Sequence, residues 1–143
     1  MMTMTGQGEG SGVTASARQA PVVLVAEDTP DVRDLLVEVL ISEGYSVIAA
    51  TDGIEALEAV RRYHVDVVLL DLMMPGLSGW EVLRVLPQET IDRPPRVIVV
   101  SAAHNLRGVQ QHPLVEAAVH KPFDLDHLLA LVNALAQRGR SGT

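Results

Sequence analysis

The chain has no cysteine, little basic charge and no long apolar run, and each absence excludes a class of protein. Without cysteine it forms no disulfide and no thiolate metal site, which is compatible with the reducing cytoplasm where we expect it. Its 11 basic and 18 acidic residues give a formal charge of -7, unlike the clustered lysine and arginine of DNA-binding surfaces. No stretch reaches the roughly 18 uncharged residues of a membrane-spanning helix. We therefore expect a soluble protein that binds neither DNA nor membrane directly.

The length of the chain sets its domain organisation. Its 143 residues, of which 48% are hydrophobic, suffice for one domain with a core but not for a second globular domain. Residues 1–20 are rich in Gly, Ser, Thr and Ala, so we predict a flexible N-terminal tail, and they lack the basic and apolar regions of a secretion signal. Residues 138–143 are expected to form a similar C-terminal tail. The domain is therefore predicted over residues 21–137.

Short apolar runs alternate with helical patterns between these tails. The helical patterns place apolar residues at i, i+3 and i+4, as in Leu125, Leu128 and Leu129 of the last one, and Pro87 is expected to end the third. The fourth, within 105–111, is at best a short helix. Five strand-helix units require right-handed crossovers and a parallel sheet covered on both faces. We predict an α/β flavodoxin-like three-layer sandwich, with a five-stranded parallel sheet in the order 2-1-3-4-5 and five helices.

Polar side chains stand where four of the predicted strands end. Glu27 and Asp28 follow the first strand, Asp71 follows the third, Ser101 ends the fourth and Lys121 follows the fifth. Because parallel strands place their carboxyl ends at one edge of the sheet, we expect these groups to converge. Carboxylates at one edge repel each other unless a cation lies among them, and hard oxygen ligands favour Mg²⁺. Asp28 and Asp71 are the expected direct ligands, with Glu27 acting through a water and a backbone carbonyl after Asp71 adding another oxygen.

This set of residues is suited to phosphoryl transfer. With Mg²⁺ neutralising the local charge, Asp71 can act as an in-line nucleophile toward a phosphoryl group. Lys121 and the Ser101 hydroxyl are then placed to hold its equatorial oxygens. The product is an aspartyl phosphate.

The sequence resembles the receiver domain of two-component response regulators, the CheY-like proteins, over about Pro21 to Gln137. The resemblance implies that Asp71 is the phosphoacceptor and that Met73 lends its backbone carbonyl to the metal site of Glu27 and Asp28. It further implies that Ser101 moves toward the phosphoryl group, that Lys121 is its counter-ion and that the peptide bond before Pro122 is cis. The matching motifs are Glu27-Asp28, Asp71-Leu72-Met73-Met74-Pro75-Gly76-Leu77-Ser78-Gly79, Ser101-Ala102 and Lys121-Pro122-Phe123.

One departure from that family concerns the switch itself. Three residues before the motif lysine most receivers carry Tyr or Phe, whose rotamer responds when the Ser or Thr moves, whereas this chain has Ala118. A methyl side chain has no χ1 rotamer with which to respond to Ser101. We hypothesise that activation works mainly through the loop and short helix from Ser101 to Gln111.

The histidines carry no metal-ligand signature, because no two of them stand four residues apart. We assign them surface or packing roles, and expect His120 to point to the face of its strand opposite Lys121. The five are His64, His104, His112, His120 and His127.

The resemblance implies a single-domain response regulator that accepts a phosphoryl group on Asp71 from a sensor histidine kinase or histidine phosphotransfer protein. It is not expected to be an enzyme, although it assists its own phosphorylation and dephosphorylation. Output is expected to pass to another protein through the short helix after Ser101, the last strand and the last helix. Two alternatives stay open. A constitutive interaction module that does not switch is compatible with Ala118, and a Mg²⁺-dependent phosphohydrolase would need a second acid where Met73 stands.

Overall fold

The sheet at the centre of the molecule has six strands. A computed structural model describes residues 3–5, 20–89 and 92–141 of the chain. Five of the strands are made of the apolar runs identified in the sequence, and their side chains are mostly buried because helices cover both faces. The strands are β1 (Thr3–Thr5), β2 (Val22–Ala26), β3 (Ser46–Ala50), β4 (Val67–Leu70), β5 (Arg96–Ser101) and β6 (Val115–His120).

The order of the strands confirms the predicted topology. The sheet runs β1-β3-β2-β4-β5-β6, so its five parallel strands, numbered along the chain, lie in the order 2-1-3-4-5. Strand β2 is central, and its Leu24 is opposite Ile48 on one side and Val68 on the other. The carboxyl ends of β2, β4, β5 and β6 therefore meet at one edge of the sheet.

Strand β1 is a feature that the sequence pattern does not predict. Thr3–Thr5 pair antiparallel with β3, with Met4 opposite Ile48, although residues 1–20 were predicted to be a flexible tail. That prediction is wrong for these three residues, because β3 would otherwise leave a row of unpaired backbone groups at the sheet edge. Residues 1, 2 and 6–19 lie outside the described residues, so the tail stays a prediction there.

The helices occur in the predicted places, with one change of type. The fourth predicted helix is a single 3-10 helix, Gly108–Gln111, as its weak pattern suggested. The last α-helix continues to Ser141, so the prediction of a loose tail from residue 138 is wrong up to that residue. Arginine, at positions 138 and 140, is a good helix former and follows the established helix directly. The α-helices are α1 (Pro30–Ser42), α2 (Gly53–Arg62), α3 (Gly79–Glu89) and α4 (Leu125–Ser141).

The buried side chains form two clusters, one on each face of the sheet. Helices α2 and α3 pack on one face, where Leu57, Leu83 and Leu86 meet residues of the strands. Helices α1 and α4 pack on the other, where Leu40 and Leu128 are fully buried. The three-layer sandwich is thereby confirmed. Within the residues that the structure describes, no helix combines the length and apolar character required to cross a membrane.

Helix α3 does not end before Pro87, and the prediction that it would is wrong. Proline has no N–H, so Pro87 leaves the carbonyl of Leu83, four residues earlier, without its helical donor. His112 supplies a replacement, because its Nε2 lies 2.8 Å from that carbonyl oxygen. Its Nδ1 accepts from the Leu114 N–H at 3.1 Å, so the ring proton is on Nε2 and is donated to Leu83. The side chain of His112, which follows β5 in the chain, therefore replaces the backbone donor that is missing from α3.

This replacement predicts a coupling between Pro87 and His112. His112→Ala is expected to lower the free energy of unfolding by about 1–3 kcal/mol, because a buried carbonyl loses its donor. In a Pro87→Ala background the alanine N–H supplies that donor, so the same substitution should cost about 1 kcal/mol less. Urea unfolding of the two single variants and the double variant measures the coupling. His104 is exposed, so the effects of His104→Ala and Pro87→Ala on the free energy of unfolding should be additive. If the effects of His112→Ala and Pro87→Ala were additive as well, His112 would not be the replacement donor for Leu83.

Tyr45 joins the end of α1 to α4. Its ring is buried, and its hydroxyl donates to Oδ1 of Asn133. Burial raises the pKa of this hydroxyl above its ordinary value of 10.0, and the negative charge of Glu43 acts in the same direction. The protonated phenol is therefore the form that the folded state favours.

The raised pKa predicts an alkaline loss of stability through Tyr45. A group whose pKa is raised on folding stabilises the protein below its unfolded pKa, and that contribution is lost as the pH rises through the folded pKa. Tyr45→Phe should therefore show a shallower fall in the free energy of unfolding above pH 10.0 than the native chain. Urea unfolding across that range is the measurement, with Tyr63→Phe as the matched control. Parallel curves for the native chain and Tyr45→Phe would argue against this contribution.

Candidate functional site

The sheet edge at the strands' carboxyl ends brings together the acidic and basic residues that the sequence singled out. Strand β2 runs into Glu27 and Asp28, strand β4 into Asp71, and strand β6 into Lys121. Each position is fixed by the ladder of the preceding strand, since the N–H of Glu27 donates to Ala50 and that of Asp71 to Ala26, both at 3.0 Å. The site is therefore built on the most buried part of the fold.

Lys121 lies between two buried carboxylates. Its Nζ donates to Oε1 of Glu27 at 2.8 Å and to Oδ2 of Asp71 at 3.2 Å. Glu27 is 2% exposed and Asp71 4%, so neither carboxylate is solvated by bulk water. Lys121 is the only lysine in the sequence. Its ammonium group provides the positive charge that two buried carboxylates require.

Backbone N–H groups hold the remaining carboxylate oxygens. Oδ1 of Asp71 accepts from the N–H of Met73 at 3.0 Å, and Oε2 of Glu27 accepts from the N–H of Thr29 at 3.1 Å. Both carboxylates are thus oriented by the backbone two residues further along the chain. One carboxylate oxygen of Asp71 therefore accepts a hydrogen bond from the backbone, and the other accepts one from Lys121.

The protonation equilibria reflect this arrangement. Burial raises the pKa of Glu27 above 4.5, and the charge of Asp71 adds to that effect, although hydrogen bonds from Lys121 and Thr29 oppose it. Burial alone would lower the pKa of Lys121. The hydrogen bond to Glu27 and the charges of Glu27 and Asp71 outweigh burial, so the pKa of Lys121 is raised above 10.5. The lysine is therefore a stable cation at neutral pH.

Three carboxylates are close enough to share one cation. Glu27, Asp28 and Asp71 each offer an oxygen, and these oxygens lie within 4.8 Å of one another. Carboxylate oxygens are ligands that Mg²⁺ prefers, so the donor chemistry of this group fits the predicted ion. The Met73 side chain is 60% exposed, and its backbone N–H contacts Asp71, two residues earlier in the chain. The role of its carbonyl as a ligand stays a prediction.

Ser101 lies at the same edge but is turned to its own loop. It is fully buried at the end of β5, and its carbonyl accepts from the N–H of Lys121 at 3.0 Å. Its hydroxyl accepts from the N–H of Ala103 at 3.2 Å. In the described part of the chain, the hydroxyl is therefore bonded to Ala103 and not to Glu27 or Asp71. The Lys121-Pro122 bond is cis, as the resemblance implied.

Two residues at the site carried no clear signal in the sequence. Arg33 of α1 places Nη1 3.2 Å from the carbonyl oxygen of Glu27 and 3.5 Å from that of Asp28. His120 is exposed, as its predicted surface role implies, and it also donates from Nε2 to the carbonyl of Ala103 at 2.6 Å. The position of Arg33 in the first turns of a helix that follows an acidic pair is the only sequence feature that points to its contact.

Comparison with known proteins identifies the family of this chain. The family model described as the response regulator receiver domain matches residues 23–133. The sporulation initiation phosphotransferase F of Bacillus subtilis is 37% identical over 108 residues, which cover 74% of this chain and 86% of that protein. The response regulator MprA of Mycobacterium leprae is 39% identical over 116 residues, which cover 81% of this chain and 51% of MprA. The chain thus spans about half the length of MprA.

A solved structure extends the comparison to the fold. The response regulator TrrA of Thermotoga maritima, solved in complex with Mg²⁺ and BeF, is 34% identical and has a TM-score of 0.71. The match covers 80% of this chain and 98% of that one. Family match, curated relatives and sheet order agree, and the chain belongs to the response regulator receiver domain family.

Proposed function

We propose that this receiver domain accepts a phosphoryl group on Asp71 from a phosphohistidine donor. The observation that carries the proposal is the surroundings of Asp71, a buried carboxylate at the end of β4 with Lys121 on one oxygen and the Met73 N–H on the other. Both neighbours are donors, so they can stabilise anionic oxygens on an added phosphoryl group as well as those of the carboxylate. In the family, histidine kinases and phosphotransfer proteins supply that group.

The transfer step uses Asp71 as the nucleophile. A carboxylate oxygen of Asp71 forms a bond to phosphorus as the bond from phosphorus to the donor's imidazole nitrogen breaks. The imidazole leaves with the electron pair of that bond. Lys121, which is a cation at neutral pH, balances the negative charge on the transferred oxygens. The Ser101 hydroxyl, at the same edge, donates to one of them.

Glu27, Asp28 and Asp71 are the residues that would hold Mg²⁺, with the Met73 carbonyl as a further oxygen ligand. The ion supplies charge neutralisation between the carboxylates and the incoming phosphoryl oxygens. Support comes from the donor set itself and from the related TrrA structure, which contains Mg²⁺ and BeF. Buried Glu27 is better suited to act through a water, since Lys121 already occupies one of its oxygens.

Phosphorylation would change the binding of other proteins at the neighbouring surface. Lys121 follows β6 directly, and the 3-10 helix and α4 flank that strand in the chain. This face is our proposed output surface, and a sensor histidine kinase or histidine phosphotransfer protein is the proposed donor. The acidic charge of the chain supports an output by protein binding rather than by direct contact with DNA. The proposed site of action is the cytoplasm.

The test is the intact mass of the chain after incubation with Mg²⁺ and acetyl phosphate. The native chain should gain one phosphoryl group that hydroxylamine removes, as expected of an acyl phosphate, and Asp71→Asn should gain none. Asp34→Asn, which removes an exposed carboxylate of α1, is the matched control and should be phosphorylated like the native chain. An added phosphoryl group on Asp71→Asn would overturn the assignment. No addition to the native chain, with Mg²⁺ binding confirmed, would favour the constitutive module.

A further inference from the structure

We infer that His120 is a positioning residue that holds the loop of Ser101 in its unphosphorylated arrangement and releases that loop when a phosphoryl group engages the Ser101 hydroxyl. The inference rests on the proposed function and concerns how this particular chain couples the site to its surface. It follows from two hydrogen bonds that meet on Ala103 and from the neighbouring position of Lys121.

The first bond fixes the hydroxyl. Oγ of the fully buried Ser101 accepts from the N–H of Ala103 at 3.2 Å, so the side chain is directed toward its own loop. A serine side chain occupies one of three staggered rotamers, and a change of rotamer toward a phosphoryl oxygen takes Oγ away from the Ala103 N–H. Engagement of a phosphoryl oxygen through another rotamer therefore breaks the bond from Ala103.

The second bond fixes Ala103 itself. Its carbonyl accepts from Nε2 of His120 at 2.6 Å. A carbonyl only accepts, so the ring proton is on Nε2, and both the neutral tautomer with that proton and the imidazolium can donate it. The contact joins residues 17 positions apart, at the point where β5 and β6 end. His120 thereby ties the loop after β5 to the strand that leads into Lys121.

The position of His120 in β6 connects its bond to Ala103 with the phosphorylation site. Ser101 and His120 are opposite each other in the register of β5 and β6, and the next residue, Lys121, contacts Asp71. The last residue of β6 and the residue after it thus bear on the two groups expected at the phosphoryl oxygens. Lys121 is itself one of these groups, and His120 acts on the other, Ser101, through Ala103. Ala118, on the same strand, has only a methyl group and is half-buried against the core, so it cannot provide the tie.

A tie made only in the unphosphorylated arrangement opposes phosphorylation. By population shift, removing the bond from His120 to Ala103 should favour the state in which Ser101 bonds the phosphoryl group, by the free energy of one hydrogen bond. His120→Ala should therefore bind BeF₃⁻ in the presence of Mg²⁺ roughly three- to tenfold more tightly than the native chain. It should also take up the phosphoryl group of acetyl phosphate faster by a similar factor.

The experiment is calorimetric titration of BeF₃⁻ into the Mg²⁺-loaded chain, with two control variants. His120→Gln keeps a side-chain donor and should return the affinity toward the native value. His104→Ala removes an exposed histidine next to Ala103 and should leave the affinity unchanged. Thermal unfolding of each variant shows that the chains compared are folded.

A spectroscopic readout separates this role from a merely structural one. In ¹⁵N-labelled chain the Nε2 resonance of His120, an exposed residue bonded to Ala103, should shift when BeF₃⁻ is added, because the hydrogen bond is broken. Equal affinity of His120→Ala and the native chain, weaker binding by His120→Ala, or an Nε2 resonance that does not shift would each overturn the inference while leaving the proposed function intact. Failure of the native chain to bind BeF₃⁻ at all would overturn both.

Discussion

Lys121→Met is expected to lower the free energy of unfolding by about 3–5 kcal/mol when divalent cations are absent. The substitution keeps much of the side-chain length but removes the charge that lies 2.8 Å from Glu27 and 3.2 Å from Asp71. Those carboxylates are 2% and 4% exposed, so water cannot take the place of the ammonium. Urea unfolding in EDTA at neutral pH measures the loss.

Mg²⁺ should restore part of the stability of Lys121→Met, because a divalent cation supplies the missing charge among the same carboxylates. The stabilisation by Mg²⁺ should be larger for this variant than for the native chain, where Lys121 already neutralises the site. Combining Lys121→Met with Asp71→Asn removes one of the two buried carboxylates and should likewise recover stability. A double variant that is no more stable than Lys121→Met would contradict the charge argument.

Acid should also reduce the cost of Lys121→Met. The pKa of Glu27 is already raised above 4.5 by burial, and loss of the lysine removes an interaction that lowers it. A raised folded pKa stabilises the folded state below 4.5 and loses that contribution as the pH rises through the folded value. The difference between variant and native chain should therefore shrink as the pH falls toward 4.5.

An exposed ion pair provides the control for this prediction. Arg61 contacts Glu89 at 2.6 Å, closer than Lys121 lies to either carboxylate, but the arginine side chain is 52% exposed. Arg61→Met should change stability little, since solvent screens and replaces such a contact. If Lys121→Met cost no more than Arg61→Met, the two site carboxylates would have to be protonated or hydrated in the native chain.

The sequence predicted that these residues converge, because their convergence depends on short-range patterns and on one rule of sheet geometry. Apolar runs before Glu27, Asp71 and Lys121 identify buried parallel strands, and parallel strands place their carboxyl ends together. Once the strand order is known, the convergence of these residues follows without knowledge of side-chain packing. The paired carboxylates and the lysine could therefore be assigned a common site from their positions alone.

The predictions that failed depended on contacts between distant parts of the chain. Pro87 has the local signature of a helix end, and only His112, 29 residues from Leu83, shows why the helix continues. Strand β1 has three residues in a glycine-rich segment, too few to display a strand period, and it forms because β3 offers an edge. The bond from His120 to Ala103 is a contact for which no prediction was made, because it requires the loop after β5 to fold back and no local pattern encodes that.

Gly79→Ala is expected to destabilise the chain by about 1–3 kcal/mol or more, the usual range for an atom placed where there is no space. A Cβ at this position would lie 2.3 Å from the carbonyl oxygen of Asp71 and 2.6 Å from Cα of Leu72. Both neighbours are backbone atoms at the end of β4, so neither can turn away as a side chain would. The N–H of Gly79 also donates to the Leu72 carbonyl at 3.0 Å, which holds the start of α3 against them.

Gly108→Ala is the matched control and should have the opposite sign. A Cβ at Gly108 meets no atom within 4 Å, so alanine fits there without displacing a neighbour. Its main effect is to reduce the conformational freedom of the unfolded chain, which should stabilise the protein by about 0.4–1 kcal/mol. Urea unfolding of the two variants side by side gives the comparison, and equal effects at both positions would show that the close approach at Gly79 is relieved at no cost.

The same substitution should also affect the chemistry of the site. The loop from Asp71 to Gly79 carries Met73, whose N–H orients Oδ1 of Asp71 at 3.0 Å. An alanine that pushes this loop away from the end of β4 disturbs the nucleophile and the proposed carbonyl ligand together, and misplacement of a reacting group slows its reaction. At a temperature where Gly79→Ala is fully folded, phosphorylation by acetyl phosphate should therefore be slower than in Gly108→Ala. A destabilised variant that is phosphorylated at the native rate would show that the loop recovers its position around Asp71, and that Gly79 serves stability alone.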